Sequence, residues 1–444
     1  MSSPSGCAGP SDERGGLLGL ALLSLVAGAA AGLVGAAFRL ALDRADRLRG
    51  ALISADLGGP VAGCLIVVAV CAVATALSAW LVRRYSPYAS GSGIPHVESV
   101  LKGEVPPAPL RLVPVKFAGG VFAIGAGLAL GREGPSVQMG ASVADLVGRV
   151  FRRSDRDCRV LLAAGAGAGL ATAFNAPIAG AVFVLEELVR RFDVRITIAT
   201  LGASASAIGV ARVVLGNTSD FSVDVPPYAG FGTLPFHLAL GVLAGVLGIL
   251  YNRTLLGMLA VGDRFRRWPV EARAGAVGAA VGALGWAMPN LVGGGDPITQ
   301  RTLVGVESAG LLAALFAARF VLGGVSYAAR TPGGLFAPML VLGAQSGVWL
   351  GMLFRGLLPD LAPDPTVLGV VGMAAFFTAV VRAPVTGIIL VTEMTSSFTQ
   401  LLPLLGASFA AMLVPTLTGD APIYDSLRES AAHTRSLEDP EERI

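Results

Sequence analysis

The hydrophobic residues of this chain lie in long segments separated by short polar connections. The segments are at about 16–42, 57–82, 110–130, 134–151, 159–172, 176–189, 194–215, 234–260, 270–292, 302–328, 335–358, 366–381, 384–396 and 400–418. Apolar runs of about 20 residues are typical of helices that cross a bilayer. The pattern therefore predicts an all-α, polytopic membrane protein.

Several of these segments are too short to span a bilayer upright, and glycine or proline interrupts them. Interrupted helices of this kind are typical of transporters, where irregular backbone is buried in protein or lines a water-filled cavity. The longest central polar stretch, 216–235, predicts a loop between two halves. The predicted organisation is a polar tail (1–15), a first membrane repeat (16–215), this loop, a second membrane repeat (236–430) and a polar tail (431–444).

An internal repeat supports the division into halves. Two patterns occur in the same order in each half: G-x₃-P-x₄-G, and then Ala-Pro-x-x-Gly with a glutamate six residues after the glycine. The first pattern begins at Gly131 and Gly334, and the second ends at Glu186 and Glu393. Corresponding interrupted segments in two halves indicate a substrate site at the repeat interface. The sequence leaves open whether the halves are inverted or parallel.

Composition supports a membrane protein and weakens other classes. Apolar residues other than glycine make up 54% of the chain, and charged residues 14%, whereas a soluble domain has about 25% charged residues. The net charge of +3 is spread along the connections and predicts no nucleic-acid partner. The four cysteines and three histidines show no metal-ligand or disulfide spacing. We therefore expect no metal and no cofactor.

Three glycine-proline stretches predict helix starts, at Gly91–Pro95, Gly131–Pro135 and Gly334–Pro338. A helix N-terminus presents unpaired N–H groups and about half a positive charge. Three such ends directed at one interior point would bind an anion without a full cation, which allows the anion to leave again. Ser92 adds a hydroxyl donor to this predicted site.

Glu133 lies between two apolar runs, where a charged carboxylate costs about 2.5–3.5 kcal/mol. A helix N-terminus returns about 0.3–1 kcal/mol, or about 2 when partly buried. We therefore expect Glu133 to be ionised only while it occupies the place of the anion, and protonated when an anion displaces it. Its neighbour Arg132 is expected to pair with backbone carbonyls or a buried carboxylate.

Structural interpretations stay open for the other charged positions. Glu186 and Glu187 could simply end a helix at the membrane interface before Arg190. Lys116 is expected to be a structural buried cation paired with a carboxylate such as Glu98. The stretch around Ser92, taken alone, could be an ordinary helix start.

Four motifs in order, GSGIP (91–95), GREGP (131–135), GGLFAP (333–338) and APIYDSL (421–427), resemble the CLC family of chloride channels and proton-coupled chloride exchangers. The resemblance extends from about residue 16 to 430. It implies a CLC-type fold of two inverted-topology repeats with tilted and broken helices. It also implies a homodimer with one anion pathway in each subunit, placed as a multi-pass protein in the inner cell membrane.

The resemblance implies roles for individual residues. The central chloride site would consist of the hydroxyls of Ser92 and Tyr424 and the backbone N–H groups of Leu335 and Phe336. Gly134 would serve an outer anion position.

Glu133 would be the external gating glutamate and Glu187 the internal proton-transfer glutamate, with Glu186 beside it at a water-accessible portal. Because family members that are passive channels usually have an apolar residue in place of Glu187, the resemblance implies a proton-coupled chloride antiporter. The passive chloride channel of the same fold is the alternative. The end of the chain soon after Tyr424 implies a compact prokaryotic type without C-terminal nucleotide-sensing domains.

Two further alternatives come from other classes. A membrane-embedded enzyme using Glu133 with Glu186 and Glu187 as acid and base lacks metal ligands, a nucleophile elbow and a cofactor loop in the sequence, so we expect no enzyme. A carrier for a small organic anion is disfavoured because a carboxylate usually recruits arginine, whereas the predicted site has hydroxyls and backbone amides.

Overall fold

The computed structural model of the protein describes residues 10–55, 58–217, 220–305 and 307–438, and the side chains of residues 16–432 within them. Most of the two predicted polar tails, with Cys7 and the side chain of His433, lies outside this part. The described residues form α-helices joined by short connections, with two isolated β-bridges.

The described residues of the first half form eight α-helices. They are α1 (Pro10–Ser54), α2 (Pro60–Tyr85), α3 (Ile94–Leu101), α4 (Leu112–Gly125), α5 (Glu133–Val150), α6 (Asp155–Phe174), α7 (Pro177–Phe183) and α8 (Val194–Leu215). A π-helical turn, Val184–Leu188, continues α7. A 3₁₀ turn, Pro87–Ala89, precedes α3.

Nine α-helices are formed by the part of the second half that the structure describes. They are α9 (Leu234–Arg264), α10 (Val270–Ala287), α11 (Asp296–Val304), α12 (Ala309–Ala328), α13 (Phe336–Leu357), α14 (Pro365–Val381), α15 (Pro384–Thr395), α16 (Leu401–Leu417) and α17 (Ile423–Glu438). Two further 3₁₀ turns, Phe231–Thr233 and Pro289–Leu291, precede α9 and follow α10.

Most of the helices follow the predicted apolar segments, whereas α3 and α17 lie outside them. The segment 302–328 contains the end of α11 and all of α12, because α11 ends at Val304, before Gly305, whose left-handed φ of 76° terminates the helix. Helix α1 continues past its apolar part, through the charged residues after 42, and ends at Ser54.

Within the described ranges, seven helices are long and apolar enough to cross a membrane, and shorter apolar helices lie among them. The protein is therefore a multi-pass membrane protein. The most apolar window of α6 is 94% buried, whereas that of α1 is only 33% buried. Helix α6 thus belongs to the core, and α1 presents apolar side chains outward, as a helix in contact with lipid does.

The glycine that ends the first repeat pattern lets two core helices cross closely in each half. A Cβ atom on Gly140 of α5 would lie 3.2 Å from the carbonyl carbon of Gly165 in α6. A Cβ atom on Gly343 of α13 would lie 2.8 Å from the carbonyl carbon of Gly372 in α14. Small residues permit this backbone-to-backbone packing in membranes, and the same crossing occurs in both halves.

The second repeat pattern forms a reciprocal contact between α7 and α15. Glu186, just after α7, accepts hydrogen bonds from the N–H groups of Val385 (3.0 Å) and Thr386 (2.6 Å) at the start of α15. Glu393, near the end of α15, accepts hydrogen bonds from the N–H groups of Ile178 (3.1 Å) and Ala179 (2.8 Å) at the start of α7. Each helix therefore has its end against the start of the other.

Because the equivalent helices α7 and α15 are antiparallel, the approximate two-fold axis that relates them is perpendicular to them. For helices that enter a bilayer such an axis lies in the membrane plane, which makes the repeats inverted. This arrangement answers the question that the sequence left open.

The predicted loop 216–235 between the halves is non-helical over its described residues up to Gly230. It is nevertheless fixed to both halves. Asp220 is bonded to Arg39 and Arg132 of the first half, and the Phe221 N–H donates to the Met394 carbonyl of the second, at 3.2 Å.

Candidate anion pathway

The three predicted helix starts meet at one place. The Gly131 N–H donates to the Gly334 carbonyl (2.9 Å), and the Gly334 N–H donates to the Gly131 carbonyl (2.7 Å). On the other side, the Gly91 N–H donates to Thr331 (3.2 Å) and the Gly333 N–H to Gly91 (3.1 Å). These bonds hold together the segments before α3, α5 and α13, as the predicted convergence requires.

Glycine and proline shape these starts for different reasons. Pro95 is the second residue of α3, and Pro135 and Pro338 are third in α5 and α13, where no intrahelical N–H bond is lost. Gly93, before α3, has a left-handed φ of 88°, and a Cβ atom there would lie 2.6 Å from Cδ of Gln138. A side chain at Gly93 would therefore be both strained and obstructed.

Glu133 connects two of the helix starts. Its side chain is fully buried, and Oε1 accepts a hydrogen bond of 2.6 Å from the Phe336 N–H, at the first residue of α13. That N–H group is one of the donors that the sequence prediction assigns to the anion. The carboxylate and an anion are therefore alternative acceptors for the same donor.

Two buried hydroxyls belong to residues that pack against the starts of α5 and α13. Ser92 is 1% exposed and Tyr424 is fully buried, and neither hydroxyl oxygen has a hydrogen-bond partner in the described part of the chain. The Tyr424 ring stacks on Phe336 with 6.1 Å between centroids. A Cβ atom on Gly134 would lie 2.6 Å from the Ser92 oxygen. Buried hydroxyls without a partner fit a ligand that accepts hydrogen bonds.

Leu335 completes the group as the residue before α13. Its carbonyl accepts the Met339 N–H at 3.0 Å, as the first bond of the helix. The N–H groups of Leu335 and Phe336 have no acceptor within the helix, because the first turn of a helix leaves them unpaired. The structure thus brings Ser92, Gly134, Leu335, Phe336 and Tyr424 together around Glu133.

An open cavity of about 340 Å³ leads to Ser92. It is lined by Gly91, Ser92, Gly93 and Pro95 of the GSGIP stretch and by Tyr327, with Arg330 and Arg428 also in its wall. The Tyr327 hydroxyl accepts a 3.3 Å bond from the Ser92 N–H. Tyr327 was not predicted as a site residue, because a single tyrosine within an apolar helix has no sequence signal.

Lys116 is a buried structural cation, as predicted, but the predicted partner is wrong. Its Nζ donates to the carbonyls of Ala89 (3.0 Å) and Gly91 (2.7 Å), and the side chain is fully buried. Glu98 is one to two turns further into α3, so the ammonium reaches the loop before that helix instead. Lys116 therefore fixes the backbone on which Ser92 lies.

Arg132 has the structural partners predicted for it. Its Nε donates to the Ala173 carbonyl at 2.8 Å, and its guanidinium pairs with Asp220 (3.3 Å) and Asp296 (2.8 Å). The two aspartates, and not the Glu133 carboxylate, therefore compensate the charge of Arg132.

Glu187 and Glu186 are neighbours with different surroundings. Glu187 is 3% exposed on the π-helical turn, and its Oε1 lies 3.5 Å from Nη2 of Arg190. Arg190 also pairs with Asp425 at 3.0 Å, next to Tyr424. Glu186 instead binds the start of α15. Its portal role stays a prediction, whereas its position as a cap was not foreseen, since only the tertiary structure places α15 there.

Known proteins resemble this chain in both sequence and fold. The family model described as voltage gated chloride channel matches residues 74–416. The chain belongs to this family. It is therefore a CLC protein, as the four motifs predicted.

Two curated relatives are both described as H(+)/Cl(-) exchange transporter ClcA. The one from Vibrio cholerae is 37% identical over 424 residues, with 94% of this chain and 90% of that protein covered. The one from Cronobacter sakazakii is 38% identical over 425 residues, with coverage of 92% and 89%.

Two solved structures have the same fold. A slow cyanobacterial Cl−/H+ antiporter has a TM-score of 0.88 at 33% identity, covering 93% of this CLC chain and 97% of its own. A eukaryotic CLC transporter has a TM-score of 0.79 at 25% identity, covering 93% and 74%.

Proposed function

We propose that this protein exchanges chloride for protons across the membrane. One observation carries the proposal: the buried carboxylate of Glu133 accepts the Phe336 N–H, and the neighbouring residues Ser92 and Tyr424 have buried hydroxyls without a partner among the described residues. The curated relatives described as H(+)/Cl(-) exchange transporters support the same reading.

Competition for one donor would couple the two ions. When chloride takes the Phe336 N–H, the carboxylate of Glu133 loses its 2.6 Å bond to that group. A buried carboxylate without donors is unfavourable by several kcal/mol, so it takes up a proton. Chloride binding and protonation of Glu133 therefore occur together, and the departure of chloride allows the proton to leave.

Glu187 is proposed to pass the proton to the opposite side. It is nearly buried, yet it contacts Arg190, whose side chain is 41% exposed, so it connects the interior with a solvated group. The nearby cation stabilises the charged form of Glu187 between proton transfers. Glu186 is proposed to hold the adjacent turn in place through α15.

The donor set favours a small spherical anion over a carboxylate. Ser92, Tyr424 and the amides of Leu335 and Phe336 donate single hydrogen bonds, whereas organic carboxylates are usually recognised by a bidentate arginine. The nearest arginine in sequence, Arg132, is engaged with Asp220 and Asp296. We propose chloride as the transported anion, with no cofactor.

The test separates an exchanger from a passive channel. In proteoliposomes with chloride and pH recorded together, wild type should drive protons against their gradient when chloride flows down its own. Glu187→Gln should keep chloride flux and abolish proton movement, because the amide cannot carry a proton. Glu429→Gln on the exposed face of α17 is the control with the same chemical change.

If wild type moves chloride without moving protons, the exchange proposal is wrong and the channel alternative stands. If Glu187→Gln transports protons as wild type does, another group carries the proton.

We further propose a homodimer in the inner cell membrane with one pathway in each subunit. The residues of the candidate site all come from one chain, so one subunit is sufficient for a pathway. Light scattering of the detergent-solubilised protein should give the mass of two chains, and a monomer mass would contradict the proposal.

A further inference from the structure

Two arginine-rich connections outside the candidate anion site meet at one cavity. They are the connection between α5 and α6, within 149–159, and the one between α7 and α8, within 190–195. The cavity has a volume of about 560 Å³. Six cationic side chains line it: Lys102, Arg156, Arg159, Arg190, Arg191 and Arg195.

Half of the cationic side chains of this cavity have an acidic partner. Arg195 is paired with Asp157 at 2.7 Å, Arg190 is paired with Asp425 at 3.0 Å, and Lys102 lies 3.9 Å from Asp425. Asp193 is the acidic residue in the lining itself. Arg156, Arg159 and Arg191 are exposed and form no ion pair with any described residue. At least three guanidinium groups are therefore available to a ligand.

The shape and remaining lining suit a molecule larger than a halide. The volume lies within the range of about 300–1,000 Å³ that is usual for ligand sites. Apolar side chains, among them Leu101, Val160 and Leu188, form the rest of the wall. Planar guanidinium forks match phosphate oxygens in bidentate geometry, and clustered full cations would hold a single halide too long for rapid conduction.

We propose that this basic cavity is a binding site for a phosphate-bearing anion. As part of the proposal we assign this face to the cytoplasmic side, which a dense positive charge favours by the positive-inside rule. Both anionic phospholipid headgroups and soluble polyphosphates are present there, and the cavity chemistry is the same for both. The positive charge also disfavours a role as a route for hydronium ions.

The cavity is connected to the proposed proton pathway through Arg190. This side chain lines the cavity and lies 3.5 Å from Oε1 of Glu187. A phosphate in the cavity would compete with Glu187 for the guanidinium and lower the proton-transfer rate, a consequence that rests on the proposed function. The binding itself does not depend on transport.

The binding experiment uses the full chain purified in detergent and inorganic tripolyphosphate as the soluble probe. The test variant is Arg156→Gln/Arg159→Gln/Arg191→Gln. The control variant Arg44→Gln/Arg264→Gln/Arg267→Gln removes the same charge at exposed arginines outside the cavity. Calorimetric titration measures tripolyphosphate, and mass spectrometry measures phosphatidylglycerol retained after exchange into nanodiscs with phosphatidylcholine excess.

Loss of charge-assisted bonds should weaken binding of the recognised phosphate about tenfold or more in the test variant, and leave the control variant unchanged. Tripolyphosphate binding that depends on the cavity identifies a soluble ligand, and selective retention of phosphatidylglycerol identifies a lipid headgroup. Equal binding of both probes by test and control variants, or no binding at all, overturns the proposal. Displacement of the probe by an equal concentration of chloride also overturns the proposal, because the cavity would then be a halide vestibule.

Chloride uptake by the test variant shows that it is folded, since none of its three positions belongs to the candidate anion site. If the phosphate binds through the cavity but proton flux is unaffected by it, the regulatory consequence fails while the binding site stands. If proton flux is absent in wild type, the exchange proposal fails instead, independently of the binding result.

Discussion

Replacing Gly334 by alanine would place a methyl group at the centre of the candidate anion site. The Cβ atom would lie 2.7 Å from Cδ of Glu133 and 2.8 Å from the backbone nitrogen of Gly134. Ordinary contacts of a Cβ atom begin at 3.4 Å, so Cδ would have to retreat by about 0.7 Å (3.4 − 2.7) and Oε1, which would lie closer still, by more. The Gly134 nitrogen is backbone at the start of α5 and cannot yield as easily.

The energetic consequence follows from the bonds at this point. A retreat of the Glu133 carboxyl group stretches its 2.6 Å bond to the Phe336 N–H, and hydrogen bonds to charged groups contribute about 1.5–3 kcal/mol. A halide that replaced the carboxylate would meet the same methyl group. Since 1.4 kcal/mol corresponds to a factor of ten, we expect chloride turnover to fall about tenfold or more.

The assay is chloride efflux from proteoliposomes, normalised to reconstituted protein. Gly209→Ala in α8 is the control, because a Cβ atom there meets nothing within 4 Å and alanine favours the helix by about 0.5–1 kcal/mol. A second comparison is Glu133→Ala, which removes the carboxylate and should keep chloride flux while losing proton coupling. Chloride turnover by Gly334→Ala equal to that of Gly209→Ala would refute the proposed position of the anion.

Two further predictions concern residues that support the site. Glu393→Ala removes the acceptor for two N–H groups at the start of α7, which should cost about 0.5–2 kcal/mol of stability. Because α7 continues into the turn with Glu187, proton flux should fall more than chloride flux. Glu429→Ala is the control, and an equal loss of both fluxes would indicate a general folding defect. Lys116→Met leaves the Ala89 and Gly91 carbonyls without their buried donor, which should cost about 1–3 kcal/mol of stability for each carbonyl. The midpoint of thermal unfolding in detergent should therefore fall, and an unchanged midpoint would contradict the structural role of Lys116.

The sequence alone predicted the helices and the residues that begin them. Long apolar runs must form helices in a bilayer because only a helix satisfies its own backbone there, and the predicted segment 194–215 agrees with α8 at both ends. Glycine and proline acted locally as well, because their effect on φ and on the N–H group does not depend on distant contacts. For this reason the helix starts next to Pro95, Pro135 and Pro338 were predicted correctly.

Contacts between residues far apart in the sequence depend on how the helices pack. The sequence alone does not give the distances between such residues. Lys116 was assigned to Glu98, because charge suggests a carboxylate, but a carbonyl pair lies closer. Glu186 binds the start of α15 and Glu393 binds the start of α7, so these contacts join residues about 200 positions apart. Their antiparallel arrangement shows the inverted relation of the two repeats. The chain specified the local dipoles at each helix start; tertiary packing directed three of them at one point, because their loops are hydrogen-bonded to each other.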